Sequence, residues 1–188
     1  MSIISYIIRN YFLSSYIFMY YYNKPTYTKI REVKMKVNLK KLIACLLIPI
    51  AVGVVSALLS SNSSEVYSSI NKPPFAPPPA TFSIVWPILY ILMGVSLYLV
   101  VEHSTSDNQK AKKFFIVQLI LNALWPLIFF GLENFLLAFF WIIALDMIVI
   151  LMIVEFYKIN KLSAYLQLPY LLWILFATLL NFSIYILN

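Results

Sequence analysis

"NKPPFAPPPATFSIVWPILY" (residues 71–90) holds Pro73, Pro74, Pro77, Pro78, Pro79 and Pro87, six of the chain's ten prolines, and runs straight into an apolar segment containing Trp86 and Tyr90. Proline fixes φ and lacks an N–H donor, so such a run is neither a helix interior nor a central strand. It reads as a stiff, largely extended lid or linker at a helix entrance.

The apolar segment beyond the lid is one of several. Hydrophobic residues make up 62% of the 188 residues and charged ones 11%, with a mean hydropathy of +0.86. Soluble domains carry roughly a quarter charged residues. In a bilayer the backbone must satisfy its own hydrogen bonds, which leaves helices or a closed barrel. The apolar runs are continuous rather than alternating, so the expected fold is an all-α integral membrane protein.

Five stretches approach the roughly 20 apolar residues that a spanning helix needs: Leu39 to Leu59, Phe82 to Val101, Phe114 to Gly131, Phe135 to Phe156 and Leu166 to Leu187. Their connections alternate in charge. Lys34, Lys36, Lys40 and Lys41 precede the first, Lys110, Lys112 and Lys113 separate the second from the third, and Lys158 and Lys161 follow the fourth. The other connections offer only Lys72 with Glu65, and Glu133. By the positive-inside rule the core N-terminus is cytoplasmic, while the proline loop and the C-terminus face outward. The formal charge of +7 is therefore a topology signal and not a nucleic-acid footprint.

Residues 1–34 stand apart from the core at 35–188. Ile3 to Tyr22 is a sixth apolar stretch, interrupted by Arg9 and Asn10, and no small-residue cleavage site follows it. "REVK" before Met35 can be back-translated into a sequence like a bacterial ribosome-binding site, which would make Met35 the native start. An extra segment, a signal peptide and a start at Met35 all stand as readings.

Cys45 is the single cysteine, which excludes an internal disulfide and a cysteine-built metal cluster. It reads as a small buried hydrophobe. Three glycines leave no room for a phosphate-binding glycine loop, and no nucleophile elbow occurs. His103, at the lysine end of the second span, reads as a solvated interfacial residue in preference to an axial haem ligand.

Trp86 and Tyr90 are four apart and share a helix face, either as an interfacial aromatic belt or as a stacking wall for a flat ligand. Gln118, Asn122 and Trp125 share a face of the third span, as an interhelical clamp, with Asn181 the natural partner, or as ligand contacts. Trp173, Phe176 and Ala177 lie at helical spacing on the last span, where the small Ala177 permits close packing or leaves room for a ligand. Asp146, mid-span, costs about 2.5–3.5 kcal/mol on insertion scales, so it should face the bundle or be protonated. A proton relay would need further ionisable groups, and only Glu155 shares this helix.

Three blocks carry a resemblance. Lys72, Pro73, Pro77, Pro78, Val85, Trp86, Leu89 and Tyr90 form the first; Gln118, Asn122, Trp125, Pro126, Phe129, Phe130 and Gly131 the second; Pro169, Tyr170, Trp173, Phe176, Ala177, Leu180 and Asn181 the third. In this order, over residues 40 to 188, the chain resembles the tryptophan-rich sensory protein and translocator protein family. The resemblance implies a five-helix bundle, usually a homodimer, whose first loop caps a pocket. That pocket takes protoporphyrin IX, haem or isoquinoline and benzodiazepine drugs, and cholesterol in animal members; some bacterial members degrade protoporphyrin in light.

On this basis Trp86, Tyr90, Asn122, Trp125, Trp173 and Ala177 are the expected ligand-binding residues, and Lys72, Pro73, Pro77 and Pro78 the lid. A bacterial cell membrane is the expected location. Tetrapyrrole is expected as a ligand, with no tightly bound cofactor, no metal and no nucleic-acid partner. Trp86 and Trp173 would be the catalytic pair if the protein were instead a photo-oxidative enzyme. A transporter is the third reading, weakened by an odd helix count and no internal repeat. Val66 and Tyr67 replace an aromatic pair of the family, Phe75 a lid tryptophan and Leu137 a pocket tryptophan of animal members. No basic residue follows Tyr185, which argues against sterol binding.

Overall fold

The computed structural model describes residues 37–103 and 109–188. The calls on residues 1–34, and on Met35, Lys34 and Lys36, lie outside them. The elements are α1 (Leu39–Leu59), α2 (Ser63–Ser69), α3 (Pro79–His103), α4 (Gln109–Pro126) continued by a π-helical turn (Leu127–Gly131), α5 (Phe135–Ile159), α6 (Lys161–Tyr165) and α7 (Leu168–Leu187). Five segments are long and apolar enough to cross a membrane: α1, α3, α4 with its π turn, α5, and α6 with α7. The protein is a five-helix membrane bundle.

Local chemistry sets the helix boundaries. Asn38, Asn134 and Asn160 cap α1, α5 and α6, each side-chain oxygen accepting from the backbone N–H three residues on. Helix α3 begins at Pro79, three residues earlier than the apolar pattern predicts, and α4 begins at Gln109, so Lys110, Lys112 and Lys113 lie in its first turns and not between helices. Proline at a helix start loses no hydrogen bond. Pro87 is consequently two turns inside α3, and it leaves the Ser83 carbonyl without its usual donor. After Pro126 the chain widens: the Leu132 N–H reaches back to the Leu127 carbonyl at 2.9 Å, a π-type bond.

Helix α1 packs on α3 and α4, α4 on α5, and α5 on α7. The α1–α3 contact is close because Gly94 faces the α1 backbone: a Cβ there would lie 2.7 Å from Leu46 Cα. Gly53 on α1 likewise makes room for the Tyr90 ring. At the opposite wall α3 meets α6, where the Ser96 hydroxyl donates to the Ser163 carbonyl at 2.7 Å. The backbones of α3 and α7 stand apart, and aromatic rings fill part of the gap. Lysines mark one end of the bundle, where Lys41 pairs with Glu102 at 3.2 Å. The proline loop marks the other.

Candidate functional site

The lid has more structure than its prolines alone predict. The serine-rich stretch before it forms α2, which buries Val66 and Tyr67 against Ile128, Phe129, Leu180 and Ile184. The Tyr67 hydroxyl donates to the Pro77 carbonyl at 2.7 Å, and burial raises its phenol pKa, keeping it a donor. The Lys72 ammonium donates to the Tyr67 and Ile70 carbonyls at 2.6 and 2.8 Å, at the C-terminus of α2, where the helix dipole favours a cation. It also lies 5.1 Å from the Tyr67 ring centroid. Pro73 accepts from the Ala76 N–H at 3.0 Å, and Pro78 accepts from the Thr81 N–H at 2.9 Å, which opens α3. Asn71 and Asn188 close the lid onto α7: the Asn71 N–H donates to Asn188 Oδ1 at 2.9 Å, and Asn188 Nδ2 donates to the Asn71 carbonyl at 3.0 Å.

Beneath the lid runs an aromatic seam between α3 and α7. Phe82 packs edge-on against Tyr67 at 5.5 Å and against Trp173 at 5.8 Å. Phe176 touches Trp173 and the lid's Phe75, at 5.8 and 6.3 Å. Trp86 stacks on Tyr90 at 5.4 Å and leans on Tyr170 at 6.4 Å. Alongside these rings lies a groove of about 590 Å³, lined by Pro77, Val85, Leu92, Pro169, Trp173, Phe176 and neighbouring aliphatic side chains.

Behind the seam sits a buried polar network. The Tyr90 hydroxyl donates to Asn122 Oδ1 at 3.0 Å, Asn122 Nδ2 donates to the Tyr170 hydroxyl at 3.2 Å, and that hydroxyl donates to Gln118 Oε1 at 3.0 Å. Nearer the lid, Trp125 Nε1 donates to Asn181 Oδ1 at 3.1 Å, and Asn181 Nδ2 to the Phe135 carbonyl at 3.1 Å. The polar stripe of the third span is thus clamped to the last helix at two points. Of the stripe, only Trp125 bonds to Asn181, while Asn122 and Gln118 use Tyr170. Asp146 is buried in the bundle, with Thr178 Oγ1 2.7 Å from its Oδ2.

The structure therefore divides the six expected ligand residues. Trp86, Tyr90 and Trp173 belong to the seam. Asn122 lies behind it, bonded on both sides. Trp125 does not line the groove and is stacked on Phe129 at 4.8 Å under α2. Ala177 is half-buried on α7 beside Phe176. The indole N–H groups separate the tryptophans further: Trp125 donates to Asn181 and Trp141 to the Leu121 carbonyl at 2.8 Å. Trp86 and Trp173 have no acceptor among the described residues. Sequence reasoning gave no role to Trp141 and missed Tyr170 as the hub of the network; its signal was a hydroxyl-bearing residue three positions before Trp173, hence on the same helix face. Cys45 is buried and His103 exposed, its Nδ1 2.8 Å from the Leu99 carbonyl. No cluster of metal-ligating side chains occurs among the described residues.

The three sequence blocks, from Lys72 to Asn181, lie within the part of the chain that matches known proteins. The model of the TspO/MBR family aligns with residues 45–187. The chain belongs to the TspO/MBR family. Among family members, the tryptophan-rich protein TspO of Archaeoglobus fulgidus is 44% identical over 152 residues, covering 80% of this chain and 99% of that protein. The protein CrtK of Rhodobacter capsulatus is 35% identical, covering 72% of this chain and 85% of its own. The human translocator protein is 33% identical, covering 63% and 72%.

Proposed function

We propose that this TspO/MBR-family protein is a membrane receptor or sensor that binds a tetrapyrrole, such as protoporphyrin IX or haem, along the α3–α7 seam under the lid. One observation carries the reading: the aromatic seam, with Trp86 on α3 and Trp173 on α7, runs along an apolar groove that Trp173 lines, and neither indole N–H has an acceptor among the described residues. A flat macrocycle gains affinity by burying its faces against aromatic walls, and a few polar groups fix its orientation. The two indoles supply both. Family relatives carry names of the same kind, a "tryptophan-rich sensory protein" of Cereibacter sphaeroides and the human "translocator protein". Lysines at the far end of the bundle favour a cytoplasmic position for that end, with the lid outside.

The test is a titration in the dark with protoporphyrin IX, following tryptophan emission, for wild type, Trp86→Phe and Trp173→Phe. Saturable quenching that weakens in both variants supports the site. Equal binding by all three removes it from the seam. Illumination of the same samples addresses the enzymatic reading, since the two indoles flank the proposed ligand. Pigment loss above a free-pigment control that disappears in either variant would make the protein a catalyst.

A further inference from the structure

The groove beside the seam opens sideways. Its floor is formed by the buried Leu89 and the half-buried Val85 and Leu92 on α3 and by Trp173 on α7, and its rims by Ile88 and Leu172, which are 52% and 68% exposed. All of these positions lie within membrane-spanning helices, so the medium at the mouth is hydrocarbon. Val85 to Leu92 and Pro169 to Phe176 each cover eight residues, seven rises of 1.5 Å or about 10 Å of helix, so the space is elongated along the bundle. Pro77 closes its lid end.

Nothing that lines this space would hold water. A buried water needs two to four polar partners, and the lining is aliphatic and aromatic apart from one indole N–H. An empty groove would forfeit dispersion contacts along its whole length. A third possibility, closure by α3 and α7 moving together, is opposed by the rings of Phe82, Trp86, Tyr170 and Trp173 that wedge the two helices apart. No hydrogen bond joins α3 directly to α7 among the described residues, so the mouth has no polar latch.

We propose that the α3–α7 groove is a binding site for a lipid acyl chain, which enters side-on between Ile88 and Leu172 and lies against Trp173 and Phe176. The proposal does not depend on tetrapyrrole binding. It is tested with Trp173 as the only indole, in a variant with Trp86, Trp125 and Trp141 changed to Phe, reconstituted in phosphatidylcholine brominated along the acyl chains or in its unbrominated counterpart. An acyl chain in the groove removes most of the Trp173 emission in brominated lipid. Filling the floor by Val85→Phe with Leu92→Phe restores it. Unchanged emission in brominated lipid, or quenching that the filled groove leaves untouched, overturns the proposal. Should the triple variant not fold, native mass spectrometry of wild type and Val85→Phe reads the same site. A phospholipid adduct held by wild type and lost from Val85→Phe supports it; equal retention, or no adduct on either, overturns it.

Discussion

Tyr67 and Tyr170 are two phenols whose hydroxyls tie separate segments together, and they differ in what their loss leaves behind. Tyr67→Phe keeps the ring against Phe82 and removes the donor to Pro77. That carbonyl lies at the end of the bundle where water can replace the donor, so the cost is about 0.5–1.5 kcal/mol. The expected signature is faster proteolysis within residues 70–78 with a small drop in melting temperature. Tyr170→Phe is worse. Interhelical hydrogen bonds in membranes average only about 0.6 kcal/mol, but this hydroxyl is fully buried and serves two partners. Asn122 Nδ2 and Gln118 Oε1 would both be left without it, at about 1–3 kcal/mol. Tyr90→Phe strips only one bond from Asn122, so thermal unfolding in detergent should rank Tyr170→Phe below Tyr90→Phe, and both below wild type.

At the scale of elements, the glycines separate rigid from yielding contacts. Gly94→Val meets the Leu46 backbone, which cannot swing aside, so α1 and α3 must separate, at about 1–3 kcal/mol or more. Gly53→Ala meets only the Tyr90 ring, which can rotate at the expense of its bond to Asn122. Folded yield from membranes should therefore fall steeply for Gly94→Val and little for Gly53→Ala. The spans themselves were legible in the sequence because hydrocarbon imposes continuous apolar runs: α1 occupies Leu39–Leu59 as its pattern predicts. Helix α2 was not, since a run of serines carries no apolar period, and its burial of Val66 and Tyr67 is imposed by the π turn and α7 beneath it. The early start of α3 was hidden for the opposite reason: a proline at a helix start and a proline in a loop look alike in sequence. In the site, helical spacing correctly put Trp86 with Tyr90 and Gln118 with Asn122, whereas pairing between helices is not a property of spacing. That is why the partner of Asn122 is Tyr170, and why Trp125 lies under α2 and not in the seam.

For the whole molecule, the decisive contrast is between the lid and the side wall. The lid is held at three points, by Tyr67 on Pro77, by Lys72 on the end of α2 and by the reciprocal Asn71–Asn188 pair. Among the described residues no hydrogen bond crosses the α3–α7 wall, which ring contacts bridge and which opens sideways between two membrane-spanning helices. If the seam binds a tetrapyrrole as proposed, a macrocycle entering from lipid with its apolar face meets its lower barrier at the wall, where no hydrogen bond among the described residues must break and only the proposed hydrocarbon chain must leave. Freeing one of three lid attachments, by Asn188→Ala, should leave the rate of protoporphyrin exchange between vesicles unchanged. Narrowing the wall by Val85→Phe should slow that exchange by about tenfold, the equivalent of roughly 1.4 kcal/mol in the barrier. Stopped-flow tryptophan quenching on the two variants reads both rates. Faster exchange in Asn188→Ala with none of the slowing in Val85→Phe would make the lid the gate, and the proline run would then be a hinged cover instead of a fixed roof.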